Sequence, residues 1–467
     1  MLFTDAIFLF YFLPFVLFVH RFLVKGSKGT SYPISARLFL FLVTLVFYGW
    51  RQPWWVVPFV FSISIDFFFA RALLYFRDQR LRTLVLVLSI VQNLLLLSLF
   101  KYRDSIRAFA PWVPELIWRG QSLPFPAGLS FYTFEALSLI IDLYRRKVRD
   151  SLSVSSYFAF FGMFPRFIAG PIARYSETQK QLTVYKGMQI RLGLELFAFG
   201  LFTKVILADP LARFVDLGFS GEGPPEFFSA WIGIVAFGLQ LFFDFSGYSW
   251  MALGLGRCLG FTFPSNFASP YTSRSLSEFW RCWHQSLSFW FRDYVYIPLG
   301  GNRGSQWRVL GIVFLTMILA GIWHGPGINF LLFGAWNGFF LCLEKILQER
   351  TRSGTRFSQL RVVLVFWLSL VFFRSNSFEQ ARSILSSLFS FQNLDFPLNF
   401  LLENPLALAL GLFALLYCFA LEPRLRRIYE VADQEIPGRI WFSAFVFLLS
   451  LVFIFSSPNI PFLYFQF

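Results

Sequence analysis

Leu84-Val-Leu-Val-Leu-Ser-Ile-Val-Gln-Asn-Leu-Leu-Leu-Leu-Ser-Leu-Phe100 carries no charge from end to end, and its reading decides the fold class. Extended back to Leu81, the run is long enough as a helix to cross the hydrocarbon of a bilayer. Comparable runs recur at roughly 5–24, 37–50, 53–75, 123–144, 192–208, 229–247, 309–324, 327–346, 361–374, 405–421 and 440–457. Each is bounded by Gly, Pro or a charged cluster. The chain has 467 residues, 56% of them hydrophobic and only 14% charged, against about 25% charged in an ordinary soluble domain. That excludes a disordered chain, a basic nucleic-acid-binding domain and a secreted disulfide scaffold. The expected fold is an all-α polytopic membrane protein of about 11–13 transmembrane helices with additional re-entrant or half-membrane segments.

Cys258, Cys282, Cys342 and Cys418 lie in or beside apolar stretches with no C-x-x-C pair, so they read as small buried hydrophobes. The N-terminus has no positive n-region, and its apolar run continues to about Val24, which reads as an uncleaved first span. The net charge of +15 reads first as topology and secondly as attraction for phosphate-bearing substrates or anionic lipids. With the N-terminus outside, the cytoplasmic side receives Lys25, Lys28 and Arg37, then Arg77, Arg80 and Arg82, then Arg145, Arg146, Lys147 and Arg149. It later receives Arg350, Arg352, Arg356 and Arg361, and finally Arg424, Arg426, Arg427 and Arg439. The outside receives Asp209, Asp216, Glu222 and Glu226. The basic stretch 101–119, ending at Arg119, fits poorly, and the balance still places both termini outside.

This count requires that the apolar stretch 157–172 not cross. Pro165, Gly170 and Pro171 interrupt it, so it reads as a re-entrant segment covering a protein-lined cavity. The stretch 251–300, apolar yet rich in Gly, Pro and Arg, points the same way. No fixed-period repeat and no paired broken helices of an inverted-repeat transporter are visible.

Two of the three histidines lie in this region. Ser275 and Glu278 form a capping box that starts a helix. Ser277, Arg281, His284 and Ser288 are then expected along one stripe of that helix, facing a wet interior. The plainer alternative is a helix lying at the interface with its charges among headgroups. His324, in Ala320-Gly-Ile-Trp-His-Gly-Pro-Gly327, is expected at the end of a span that Gly325-Pro326 terminates. Its plainer alternative is a structural histidine bonded to a carbonyl. His20, at the end of the first span, reads as an interfacial residue. No metal is expected: Cys282-x-His284 with His324 lacks paired ligand spacing. There is no G-x-S-x-G elbow and no phosphate-cradling G-x-x-x-x-G-K-[ST]. What remains is imidazole in an Arg-lined cavity, suited to abstracting a proton from a hydroxyl that attacks an activated acyl group. A non-catalytic transporter or flippase of a lipid-linked sugar would use the same cavity.

From Phe279-Trp-Arg-Cys-Trp-His284 through Trp290-Phe-Arg-Asp-Tyr-Val-Tyr-Ile-Pro-Leu-Gly-Gly-Asn-Arg303 the sequence closely resembles the membrane-bound O-acyltransferase family. The branch it resembles contains alginate O-acetylation proteins and the D-alanyl transfer protein of teichoic acid synthesis. Phe131-Tyr-Thr-Phe134, Phe164-Pro-Arg-Phe-Ile-Ala-Gly-Pro171, Phe242-Phe-Asp-Phe-Ser-Gly-Tyr248, Ile322-Trp-His-Gly325 and the closing Pro461-Phe-Leu-Tyr-Phe-Gln-Phe467 agree in order. Trp250 departs from the pattern, which has an acidic residue there. Pro326-Gly-Ile departs too, where a small residue and an aromatic are commoner.

The resemblance implies one domain over 1–467, with N-terminal spans at 1–120, a motif-bearing core at 125–350 and C-terminal spans at 351–467. It implies that His324 is the catalytic histidine and His284 the second family histidine, where funnels from the two faces meet. Arg281, Trp283, Ser288, Arg292, Asp293, Tyr296, Asn302, Arg303, Trp323, Asn329, Arg166 and Asp244 are the implied substrate-binding residues; for Arg281, Arg292 and Arg303 the alternative is holding the fold. The implied location is a bacterial plasma membrane. No permanent cofactor is implied; the donor would be acetyl-CoA or an acyl-carrier thioester. An extracytoplasmic SGNH-type acetyltransferase partner would complete transfer to a polysaccharide, and nucleic acid is not an implied partner.

Overall fold

The computed structural model describes residues 1–110, 112, 125–148, 152–221, 223–347, 356–391, 394–425, 438–456 and 460–463. Arg119, Arg149, Glu222, Arg350, Arg352, Arg426 and Arg427, on which the topology count partly rests, lie outside the described residues. So does the closing stretch from Tyr464. Among the described residues, helix is the only regular structure.

The first helices are α1 (Leu13–Leu23), α2 (Ile34–Gly49), α3 (Val56–Tyr75), α4 (Gln79–Lys101), α5 (Leu129–Tyr144), α6 (Val154–Phe161) and α7 (Ile190–Phe202). There follow α8 (Phe227–Cys258), α9 (Leu276–Cys282), α10 (Gln285–Phe291), α11 (Gln306–His324), α12 (Ile328–Ile346), α13 (Arg356–Arg374), α14 (Pro405–Leu416) and α15 (Arg439–Ser456). Seven described helices are long and apolar enough to span a membrane: Pro53–Tyr75, Gln79–Lys101, Phe227–Cys258, Gln306–His324, Phe357–Arg374, Pro405–Leu425 and Arg439–Ser456. Phe8–Leu23 and Ile34–Gly49 are shorter apolar helices. Their outer faces carry exposed Phe18, Phe61, Phe68, Leu84 and Leu95, which suits hydrocarbon as the surrounding solvent. The protein is an all-α, multi-pass membrane protein.

By its contacts the chain forms two compact units, Met1–Phe197 with Met251–Pro264, and Ala198–Trp250 with Ser265–Phe467. In the first, the stretch 157–172 is broken as its prolines and glycines predict. α6 stops at Phe161, and a single turn, Phe164–Phe167, follows; neither piece is long enough to cross. Thr44 of α2 closes the break, donating its hydroxyl to the Gly162 carbonyl at 2.8 Å and accepting from Phe164 N at 3.0 Å. Gly162 is required because a Cβ there would lie 2.6 Å from the Phe41 Cα. Arg166 of the turn is ion-paired with Glu135 of α5 and donates to the Phe160 carbonyl. Both partners are buried.

His20 departs from expectation. It is fully buried, its Nε2 lying 2.7 Å from the Tyr32 hydroxyl. Tyr32, itself buried, supplies the polar partner that a buried imidazole needs.

In the second unit, Lys204 on the π-helical turn after α7 is buried between Asp209 and Asp244, at 2.7 Å from Asp244. The second Asp244 oxygen accepts from Leu463 N at 2.9 Å, and Lys204 reaches the Ile460 carbonyl at 3.2 Å. This triad ties α8 to the chain just before its closing residues. α11 and α12 form a hairpin packed at glycine. A Cβ on Gly334 would sit 2.5 Å from the Met317 carbonyl and 3.0 Å from the Ile318 Cα, and one on Gly338 would sit 3.0 Å from the Phe314 ring. Gly334 and Gly338, four apart, are the small-x-x-x-small pattern that lets helix backbones approach in a membrane.

Removing one member of a buried ion pair strands the other. Arg166→Ala should therefore destabilise the protein by about 3–5 kcal/mol, and pairing Arg166→Met with Glu135→Met should recover much of that loss. Thermal unfolding in detergent reads both; a single variant as stable as the parent would refute the assignment.

Candidate active site

Ser275 starts α9 as the capping box predicts, its hydroxyl accepting from Glu278 N at 3.1 Å. The return bond differs: the Glu278 carboxylate accepts from Arg274 N at 2.7 Å. Glu344 of α12 takes the next two free amides, Leu276 N at 2.7 Å and Ser277 N at 3.2 Å. A carboxylate there also complements the partial positive charge of the helix start.

The expected single helix through His284 is absent. α9 ends at Cys282, Trp283 is extended, and His284 adopts φ 42° and ψ 55° before α10 begins. A left-handed conformation in a residue with a Cβ costs about 1–3 kcal/mol. The segment at 266–268 offsets it by taking the backbone groups the break exposes. Ala268 N donates to the Cys282 carbonyl at 2.9 Å, and Gln285 N donates to the Asn266 carbonyl at 2.8 Å. The Asn266 side chain accepts from the Ser286 hydroxyl at 2.6 Å and donates to Ser249 at 3.0 Å. The break rotates the second half of the stripe: Ser277 and Arg281 are exposed, His284 is buried and Ser288 is half-buried.

His284 and His324 line one cavity of about 170 Å³, close to the volume that holds a benzene-sized molecule. Trp283, Ser288, Arg292 and Tyr296 line it with them. Arg292 and Tyr296 reach it from a π-helical turn, Arg292–Tyr296, that continues α10; such turns are common at functional sites. Trp323 is buried between the two imidazoles, its ring centroid 6.2 Å from that of His284 and 4.9 Å from that of His324. His324 is the last residue of α11, with Gly325 as its cap, as expected. Phe245 packs edge-on to His284 at 4.6 Å, and Phe373 and Phe333 stand 5.1 Å and 5.8 Å from His324.

The other expected residues lie off the cavity wall. Asp293 pairs with its neighbour Arg292 at 2.7 Å. Asn302 accepts from Tyr296 at 2.8 Å and from Lys345 at 3.0 Å. Arg303 is exposed, and Asn329 donates to the Ser375 carbonyl at 2.9 Å. Arg166 and Asp244 are held in the ion pairs described above. Of the residues that sequence reading missed, Thr316 and Ala320 had a signal. They sit two turns and one turn before His324 on the same face of α11, and both line the cavity. Phe245, Phe366 and Phe373 wall it from other helices, and nothing local marks them among so many phenylalanines.

The molecule is thus a multi-pass helical membrane protein with two histidines on one cavity. The model of the membrane-bound O-acyltransferase family matches residues 88–419, and the chain belongs to that family; it is a membrane O-acyltransferase. It is 36% identical over 415 residues to the probable alginate O-acetylase AlgI of Pseudomonas aeruginosa, covering 84% of this chain and 75% of that protein. It is 32% identical over 429 residues to the peptidoglycan O-acetyltransferase of Helicobacter pylori, covering 83% and 80%. Similarity to the teichoic acid D-alanyltransferase of Bacillus subtilis is lower, 26% over 266 residues, covering 52% and 67%.

Because Gly334 sets how closely α12 approaches α11, Gly334→Ala should displace the helix that ends in His324. The expected cost is about 1–3 kcal/mol, with acyl transfer lowered beyond what the unfolded fraction explains. Unfolding midpoint and turnover measured on one preparation test this; parental values for both would show that the hairpin does not position the site.

Proposed function

We propose that this protein moves an acetyl group from acetyl-CoA on the cytoplasmic side to an extracytoplasmic polysaccharide, directly or through an SGNH-type acetyltransferase partner. The observation that carries the reading is the pair His284 and His324 on one small cavity, in a chain that aligns along most of its length with O-acetylating relatives. The protein sits in a bacterial plasma membrane with both termini outside, so the basic loops face the phosphate-rich donor.

His324 removes the proton from the acceptor hydroxyl as that oxygen attacks the thioester carbonyl carbon. The carbon–sulfur bond then breaks, and the departing thiolate takes the proton from the imidazolium. His284, held rigidly in its left-handed turn, positions the reacting oxygen. Trp283, Ser288, Tyr296 and Trp323 shape the acyl end, while Arg292, with exposed Arg281 and Arg303, attracts the donor phosphates. Asp293, Asn302 and Asn329 hold Arg292, Tyr296 and α12 in place, and Arg166 and Asp244 act through the packing of their ion pairs. D-alanyl transfer from a carrier protein is the second reading. The lower identity and shorter alignment with the D-alanyltransferases favour acetate.

The test follows CoA release from acetyl-CoA by the purified protein in lipid nanodiscs. His324→Ala should lower release by about 10²–10⁴-fold with the unfolding midpoint unchanged. Release retained in the variant would remove His324 from the chemistry. No release from the parent, with release from a D-alanyl carrier thioester, would transfer the proposal to the second reading.

A further inference from the structure

Remote from any histidine in sequence, α3 and α4 bury a polar cluster on their packed faces. Asp66 is 1% exposed, and Ser62, Ser89 and Asn93 are 0% exposed. Ser62 precedes Asp66 by one turn of α3, and Ser89 precedes Asn93 by one turn of α4, so each helix presents two polar groups on one face. One Asp66 oxygen, Oδ1, accepts both available bonds, from Ser89 Oγ at 3.0 Å and from Asn93 Nδ2 at 2.7 Å. The other, Oδ2, has no hydrogen-bond partner, and neither do Asn93 Oδ1 and Ser62 Oγ; water reaches none of the three. Among the described residues no Lys, Arg or His forms an ion pair with Asp66.

An ionised carboxylate in a membrane span needs a counter-charge, and its own open oxygen with the unpartnered oxygens of Asn93 and Ser62 cannot supply one. They can supply ligands. A carboxylate, an amide carbonyl and a hydroxyl are hard oxygen donors suited to hard cations. One carboxylate balances one positive charge, which favours a monovalent ion over Ca²⁺ or Mg²⁺. We propose that Asp66, Asn93 and Ser62 form a binding site for a desolvated Na⁺ ion that cross-links α3 to α4, with Ser89 orienting the carboxylate. Bound there, the ion satisfies the two oxygens left open in the Asp66–Asn93 pair and neutralises the charge in the spans. The competing occupant is a proton on Asp66, shared with the Asn93 carbonyl.

The test uses the full chain in lipid nanodiscs with ²²Na⁺ as the probe. The parent should bind it saturably, near one equivalent, and its unfolding midpoint should rise when Na⁺ replaces N-methyl-D-glucamine at constant ionic strength. Asp66→Asn should lose both effects, and Ser62→Ala should weaken binding several-fold. If Asp66→Asn does not fold, the parent and Ser62→Ala measurements decide the matter. No saturable ²²Na⁺ binding by the parent would overturn the proposal in favour of a protonated Asp66. So would an Asp66→Asn variant that keeps the parental Na⁺ response.

Discussion

Two backbone hydrogen bonds from the 266–268 segment hold the break between α9 and α10, and the geometry at His284 depends on them. Without partners, the Cys282 carbonyl and the Gln285 amide would favour continuing the helix, because an unsatisfied backbone group away from water is costly. A continuous helix would carry His284 on the same stripe as exposed Arg281. The break instead turns His284 inward while Ser277 and Arg281 of the same stripe stay exposed. Asn266 reinforces it through Ser286 and Ser249, so the break is tied to α8 as well.

Much of this was legible in the sequence because the signals are local. Charge-free runs give spans by length, and Ser275 with Glu278 marks a helix start. Gly325-Pro326 marks the helix end that exposes His324. The break at His284 was not legible, since Cys282-Trp-His-Gln285 contains neither Gly nor Pro and the pattern reads as helix. What imposes it is hydrogen bonding from residues some seventeen positions earlier, a tertiary effect that no local periodicity contains. His20 illustrates the same limit. Its position at a span end suggested the interface, and only the fold brings Tyr32 to it.

The polar residues of the motif-bearing stretches divide by what neutralises them. Arg166 and Asp244 occur in runs that mark the family, yet both are committed to buried ion pairs with Glu135 and Lys204. Arg292, Arg281 and Arg303 keep solvent-exposed heads and remain able to meet an anionic substrate. A membrane protein cannot leave a buried charge unpaired. Burial of the paired charge, nearly complete for Arg166 and only partial for Arg292, therefore separates a framework arginine from a binding one more reliably than the motif around it does.

The end of α11 shows how this packing reaches the chemistry. Gly325 has an extended backbone that any residue could adopt, so conformation does not explain a glycine there. Space does, because a Cβ would run into the Phe330 ring. Phe330 packs edge-on against Phe373 at 5.3 Å, and Phe373 in turn stands 5.1 Å from His324. The absent side chain at Gly325 thus admits Phe330 behind Phe373, which walls the cavity beside the imidazole. Small residues serve α11 in three ways: Gly334 admits its partner helix, Ala320 leaves volume one turn below the histidine, and Gly325 admits the wall beyond it. The reacting group is placed by what its neighbours leave out as much as by what they contribute.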